Sequence, residues 1–417
     1  EHMNPPKVPP AATGTIAARA TPPGRGGIAV VRVSGPDCTS VAGRLLDALP
    51  APRMASLMPF RDSAGEAIDT GLALYFPAPH SFTGEDVLEL HCHGGPMVCD
   101  LVLEAALAAG ARLAEPGEFT RRAFLNDKLD LSQAEAVADL IDSGSRAAAR
   151  AAQRSLRGDF AAAVMRLNAA VTALRVHVEA ALDFPDEDID FLDDAALRAR
   201  LDEVAQEFDL MAQRIRQGVL LRDGIRVVIV GRPNAGKSSL LNALAGYDAA
   251  IVTDIPGTTR DLVREQIDLG GLPLHVIDTA GLRDAPGTVE AEGIRRAREQ
   301  LAQADHALLV IDSNRGNDFD ELRAELPEGL DYTVVHNKID LSGEPAGAAD
   351  ACPGQIGLSA LTGDGLPALV QRLKAAVGFA EPGEDTLIAR RRHLDALARA
   401  RSHFDTGRAQ LLEHRAG

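Results

Sequence analysis

The run Ile225-Arg-Val-Val-Ile-Val230, followed at once by Gly231-Arg-Pro-Asn-Ala-Gly-Lys-Ser238 and the apolar start Leu240-Leu-Asn-Ala-Leu244, restricts this chain more than any other stretch. A buried strand, a G-x-x-x-x-G-K-[ST] loop and a helix, in that order, belong to an α/β sheet in which backbone N–H groups and a helix N-terminus converge on phosphates. Lys237 then reaches the β- and γ-phosphates and the Ser238 hydroxyl a magnesium ion, with Asn234, Ala235, Gly236 and Ser239 lining the same curve. A glycine turn that merely joins strand to helix would not need the Lys-Ser pair.

The base follows from Asn337-Lys338-Ile339-Asp340, an N-K-x-D at the end of the apolar run Tyr332-Thr-Val-Val-His336. The Asp340 carboxylate can accept from the N1–H and N2–H₂ of guanine, groups that adenine does not offer in that arrangement, and Asn337 can reach N7. GTP is therefore expected over ATP. Ser359-Ala360-Leu361 after Gln355-Ile-Gly-Leu358 is similar to the loop that completes a guanine pocket. Asp278-Thr279-Ala280-Gly281 has the form D-x-x-G, where Asp278 would hold magnesium through water and the Gly281 N–H would sense the γ-phosphate. Between these lies Thr253-Asp254-Ile255-Pro256-Gly257-Thr258-Thr259, with Thr259 the candidate second magnesium ligand. Any one of these motifs could be an ordinary polar turn; their order and spacing together are not. Ras-like proteins place a water-orienting glutamine after D-x-x-G, whereas Leu282 stands here. The catalytic group must come from elsewhere, and Glu290 is a candidate. On the residues alone, a solvated acid in a helix's first turn is the better reading of Glu290.

With 417 residues, 46% of them hydrophobic, the chain is long enough for two or three domains. A formal charge of −17 and the absence of tryptophan argue against a broad basic footprint or aromatic stacking surface for autonomous nucleic-acid binding, so an RNA partner would need a local basic patch. Four cysteines without C-x-x-C, and no secretory leader, point to a reducing cytoplasm. Nothing resembles a membrane span. Glu1-His2 ahead of Met3 looks like a cloning remnant, and residues 1–12 are expected to be a mobile N-terminus.

Residues 13–125 hold β-type runs, Ile28 to Val33 and Asp86 to Leu90, and a helical pattern from Met97 to Ala109, which reads as a small α+β domain. No proline occurs between Pro116 and Pro185, and the Ala/Leu/Arg/Glu-rich stretch from Leu131 suits long helices until Asp183-Phe-Pro-Asp-Glu-Asp188 breaks it. Helical patterns recur from about Asp194 to Gln217 and from about Thr386 onward, on either side of the nucleotide module. The expected architecture is thus a multidomain α/β protein: an α+β domain at 13–125, helical segments at 126–218 and 379–417, and a Ras-like P-loop domain at 219–378 inserted between them. His91-Cys92-His93 with Cys99 hints at zinc but lacks the usual paired C-x₂₋₄-C spacing. The acidic stretch from Asp183 to Asp194 reads as a solvated inter-helix segment.

The motifs G-R-P-N-A-G-K-S-S, T-D-I-x-G-T-T-R-D, D-T-A-G-L-R and N-K-x-D occur here beside T-P-P-G-R-G-G at Thr21 to Gly27, S-F-T-G-E-D at Ser81 to Asp86, P-G-E-F at Pro116 to Phe119 and A-F-L-N-D-K-L-D-L at Ala123 to Leu131. This combination closely resembles the MnmE/TrmE family of tRNA-modifying GTPases, over essentially the whole chain. The resemblance implies a homodimer formed through a folate-binding N-terminal domain. It also implies a flavoprotein partner, MnmG (GidA), which supplies FAD, and addition of an aminomethyl or carboxymethylaminomethyl group to C5 of the wobble uridine of certain tRNAs. The carbon would come from a tetrahydrofolate derivative, 5-formyl- or methylene-, contacted by Arg32, Glu89 and Lys128. Without the resemblance these three would read as ordinary strand or solvated residues.

The resemblance further implies a GTPase cycle in which potassium replaces an arginine finger. Asn234 would bind K⁺ with Thr253, Ile255 and Thr258, the isoleucine through its carbonyl, and Glu290 would be the catalytic glutamate. One departure is that members of the family end in Cys-Ile-Gly-Lys, whereas this sequence ends at Glu413-His-Arg-Ala-Gly417. GTP hydrolysis is expected to survive that difference, tRNA modification to depend on the tail, and an apolar groove of the helical domain to be left uncovered without it. The competing reading, an RNA-binding regulatory or ribosome-assembly GTPase of the Era/Der type, predicts a KH module after the nucleotide domain, for which residues 379–417 are too few.

Overall fold

The computed structural model describes residues 14–183, 195–247, 266–278, 304–315, 318–348, 354–380, 383 and 386–413. Two compact units emerge, Glu1–Val137 and Ala138–Gly417.

In the first unit, strands β1 (Ile16–Arg19), β2 (Ile28–Ser34), β3 (Ser56–Arg61), β4 (Ala67–Phe76), β5 (Val87–His93) and β6 (Arg112–Leu113) form one sheet in the order β3-β4-β5-β2-β1-β6. Its neighbours are antiparallel except β1 and β6. Side chains alternate across the pleat. Val31, Val33, Leu88, Leu90 and Cys92 point to a core completed by α1 (Cys38–Leu45) and α2 (Pro96–Ala108), while Arg32, Glu89 and His91 lie on the other face, partly exposed. The glycines of the T-P-P-G-R-G-G turn lie against Gly94, with Gly26 N–H donating to the Gly94 carbonyl at 3.1 Å. A Cβ on Gly94 would stand 2.4 Å from the Gly26 oxygen, which no side chain tolerates. α3 (Glu118–Leu125) follows, then α4 (Leu131–Ile141), which runs from the first unit into the second.

The helical stretch after Leu131 divides into α4, α5 (Arg146–Leu156) and α6 (Asp159–Asp183). Ser145 supplies the break before α5, its Oγ accepting from the Ala148 N–H at 3.1 Å, and Gly158 at φ +96° supplies the next. α7 (Ala195–Asp223) extends six residues past Gln217 and stops at Gly224, φ +64°. The sheet of the second unit then builds in the order β12-β13-β11-β10-β7-β9-β8 from β7 (Ile225–Gly231), β8 (Gln266–Asp268), β9 (Pro273–Asp278), β10 (His306–Asp312), β11 (Tyr332–Asn337), β12 (Gly347–Ala348) and β13 (Gln355–Leu358). Its five inner strands are parallel and its edge strands, β8 and β12, antiparallel. Helices α8 (Lys237–Ala245), α9 (Phe319–Ala324) and α10 (Ile339–Ser342) lie between the strands, and α11 (Leu366–Ala376) follows the last of them.

The chain returns to the helical layer in α12 (Arg391–Glu413), which packs Leu394, Leu397 and Phe404 with Phe208 and Ile215 of α7 and Leu167 and Leu174 of α6. A Ras-like P-loop domain is therefore inserted into a helical one. Residues 386–390 are irregular rather than helical. Leu387, Ile388 and Ala389 are buried there, and the Thr386 and Ile388 carbonyls accept from Arg154 and Ser155, so the backbone is committed outside a helix. The inbound and outbound connections meet at Asp139, buried, whose Oδ1 accepts from Arg222 at 2.8 Å and Arg390 at 3.0 Å.

Candidate functional site

The carboxyl edge of the parallel strands gathers the nucleotide motifs, as expected where an open α/β sheet presents a ligand crevice. Register pairs Gly231 with Val310, Ile229 with Asp278, Asp312 with Asn337 and Asn337 with Leu358. The loop from Gly231 to Lys237 needs its glycines. Gly236 sits at φ +94°, and a Cβ there would come within 2.2 Å of the Asn337 Nδ2. Asn234 is also left-handed, at φ +66°.

Two residues of N-K-x-D fasten this loop. Asn337, buried, donates from Nδ2 to the Ala235 carbonyl at 2.9 Å and accepts at Oδ1 from the Ala360 N–H at 3.0 Å, joining the first and last nucleotide motifs through one amide. Lys338 donates to the Asn234 carbonyl and to Asp312, both at 2.7 Å. Lys237 curls over the loop onto the Gly231 and Arg232 carbonyls at 2.8 and 3.1 Å. Ser359 is fully buried and knits its loop, with Oγ accepting from Thr362 N–H and its own N–H donating to the Asp364 carbonyl. Asp340, Leu361, Ser238 and Ser239 lie at the edge, open at least in part to solvent.

Asp312 was not singled out from the sequence. Its signal is an acid closing the apolar run His306–Asp312, the same pattern that Asp278 closes in β9. Lys338 beside it holds its carboxyl below the usual range, so it is an anion under all ordinary conditions. Thr253, Asp254, Ile255, Pro256, Gly257, Thr258, Thr259, Thr279, Ala280, Gly281, Leu282 and Glu290 lie outside the described residues.

In the first unit the structure brings Arg32 and Glu89 together as direct cross-strand partners, ion-paired at 2.7 Å. The Arg32 guanidinium lies 5.5 and 5.7 Å from the ring centres of Phe82 and Phe119. Lys128 is placed on the same 77–86 loop that carries Phe82, donating to the Pro79 carbonyl at 3.1 Å and packing against Gly84. Behind the loop runs a buried polar chain. Ser34 bonds Thr83 and Glu85, Arg122 bonds Glu85 and Glu118, and Arg112 bonds Glu118. Thr83, Glu85 and Glu118 thus give the S-F-T-G-E-D and P-G-E-F motifs a physical role. The histidines and Cys99 do not converge: His91 meets Glu89 and His93 meets Asp69, whereas Cys92 and Cys99 are buried in the core. There Cys99 accepts from Arg19 at 2.9 Å, and burial pushes the Cys92 thiol up to about 11.

Residues 15–128 match the family described as the N-terminus of the GTP-binding protein TrmE, and residues 131–416 match the MnmE helical domain. Among solved structures, Era from Aquifex aeolicus bound to GDP and AlF₄⁻ is 28% identical over 38% of this chain, with a TM-score of 0.28. This chain spans 58% of the length of that Era. The FeoB G domain of Methanococcus jannaschii is 23% identical, with 37% of this chain and 98% of that one covered and a TM-score of 0.27.

Proposed function

This chain belongs to the MnmE/TrmE family of tRNA modification GTPases, and from that premise we propose that it hydrolyses GTP in a potassium-dependent cycle serving wobble-uridine modification. The observation that carries the GTP reading is the Asn337 amide, which ties the phosphate loop at Ala235 to the base loop at Ala360. One nucleotide spanning both ends would find them already in register.

Roles follow residue by residue. The Ser238 hydroxyl, at the start of α8, fits a magnesium ligand, with Thr259 as the second and Asp278 acting through water. Asn234 fits a potassium ligand, because its side chain makes no hydrogen bond among the described residues while Lys338 fixes its carbonyl. Thr253, Ile255 and Thr258 complete that set. Bound magnesium and potassium supply positive charge that offsets the charge developing on the phosphates. Lys237 orients the phosphates, Asp340 selects guanine, and Glu290 orients the attacking water in place of the glutamine that Leu282 displaces. In the N-terminal unit, Glu89 offers a carboxylate to pterin N–H donors, Phe82 an adjoining ring face, and Arg32 and Lys128 cations for folate carboxylates. The tetrahydrofolate derivative supplies the one-carbon unit, MnmG brings FAD, and the unit pairs with a second copy. The family reading places it in the cytoplasm. No described helix is long and apolar enough to cross a membrane.

The test is reconstitution with MnmG, tRNA, a folate donor and GTP, with GTP hydrolysis followed in parallel in KCl and NaCl. Hydrolysis stimulated by K⁺ but not Na⁺ is expected, and modified uridine is expected from the chain carrying the Cys-Ile-Gly-Lys tail on which modification depends. Glu290→Ala should bind GTP nearly normally yet turn over on the order of 10²-fold or more slowly. Equal rates in the two salts would remove potassium, and near-normal hydrolysis by the variant would remove Glu290.

A further inference from the structure

Helix α5 is built for close packing on one side and for charge on the other. Its inward residues, Ala148, Ala151, Ala152 and Ser155, are buried and small. Its fully exposed positions are Arg146, Arg150 and Gln153, and Arg157 follows at the C-cap, exposed and still in helical geometry. At about 100° and 1.5 Å per residue, Arg146, Arg150 and Arg157 fall within an arc of about 40° along roughly 16 Å. They form one stripe.

That stripe is unusual for this chain, which carries 60 acidic against 43 basic residues. Other arginines of the same unit take carboxylates: Arg222 and Arg390 share Asp139, Arg401 meets Asp209 and Asp405, and Arg408 meets Asp202. The side chains of Arg146, Arg150 and Arg157 have no hydrogen-bond or ion-pair partner among the described residues. Helix α5 contains no acidic residue, and the nearest acids in sequence are Asp142 before it and Asp159 after it. Aligned like charges repel, so an unpaired row costs stability unless a polyanion neutralises it. None of the exposed positions on α5 is aromatic or aliphatic, so the apolar anchor that a protein partner would grip is missing.

We infer that α5 is a docking face for the phosphate backbone of tRNA, with Arg146, Arg150 and Arg157 each taking a phosphate. This rests on the tRNA reading above and adds where the RNA is held. A guanidinium fork matches a phosphate bidentately, and such bonds fix orientation without reading bases. The stripe is the local basic patch that an otherwise acidic chain needs.

The experiment measures binding of a tRNA transcript to the full chain as a function of KCl. Every phosphate left unneutralised lowers the salt slope by about 0.7–0.9, so replacing all three arginines by glutamine should lower it by about 2–3. Affinity at about 0.1 M salt should fall roughly ten- to hundred-fold. The triple Arg→Lys variant should keep most of the slope, and Arg150→Gln alone should remove one phosphate's share of it. GTP binding should match the parent, and thermal unfolding without tRNA should come at or slightly above the parent's Tm, because the repulsion along the row is relieved. A triple glutamine variant that binds tRNA with the parent's affinity and slope overturns the docking face and leaves the tRNA reading standing. A parent chain that binds no tRNA overturns both.

Discussion

At the residue scale, the two sites differ in what could be read in advance. Lys237, Ser238 and Asn337 were legible because phosphate and guanine chemistry demand those side chains at fixed spacing after a strand. Glu118 was visible only as part of a motif: Arg122 stands four residues on, at ordinary helical spacing, but Arg112 is brought to it by β6, which no local pattern announces. Its carboxylate is fully buried, and hydrogen bonds from Arg112 lower its pKa from 4.5 to about 2. A depressed acid contributes stability that is complete above the unfolded value and is lost as pH falls through the folded one. The N-terminal unit should therefore weaken on acidification from about pH 4.5 toward pH 2. Glu118→Gln should flatten that limb and cost about 2 kcal/mol at neutral pH, since it removes the buried negative charge that Arg112 and Arg122 share, although Arg122 keeps Glu85. Denaturant titrations across the pH series check this; an unchanged acid limb would assign it to other carboxylates.

At the scale of elements, strand and helix types followed from periodicity, while boundaries moved wherever a partner overrode propensity. α7 overran its expected end because Val219 and Leu221 still face a core. Residues 386–390 lost helix to the grip of α5 and to their own burial. One approach there is unforgiving: a Cβ on Gly218 of α7 would lie 1.8 Å from the Leu387 carbonyl oxygen. Helix interiors normally favour alanine over glycine by about 1 kcal/mol. Here Gly218→Ala should instead destabilise by about 2 kcal/mol, because the outbound strap must move off the helix. Thermal unfolding decides it, and a Tm equal to or above the parent's would show that the strap yields freely.

For the whole molecule, the insertion was legible because helical composition flanks the nucleotide motifs on both sides. The fastening at Asp139 was not, since Arg222 and Arg390 come from opposite ends of the inserted domain. Asp139→Ala should cost about 2 kcal/mol in the second unit, by removing the buried carboxylate that two partly exposed guanidiniums share. Calorimetry should show its unfolding shifted down while the first unit's transition stays in place. The same fastening bears on how the protein is made. α12 is synthesised after the whole insert, yet it must join α7, where Arg401 bonds the Ala205 carbonyl and Asp209. A slack loop of that length would make the meeting slow, whereas a folded insert hands the chain back beside its point of departure, where Gln217 already holds Gly378 and Ala380. Completion of the helical layer thus reports that the inserted domain has folded. A nascent chain whose nucleotide domain fails would leave α6 and α7 with an uncovered apolar seam, the surface that chaperones and proteases recognise.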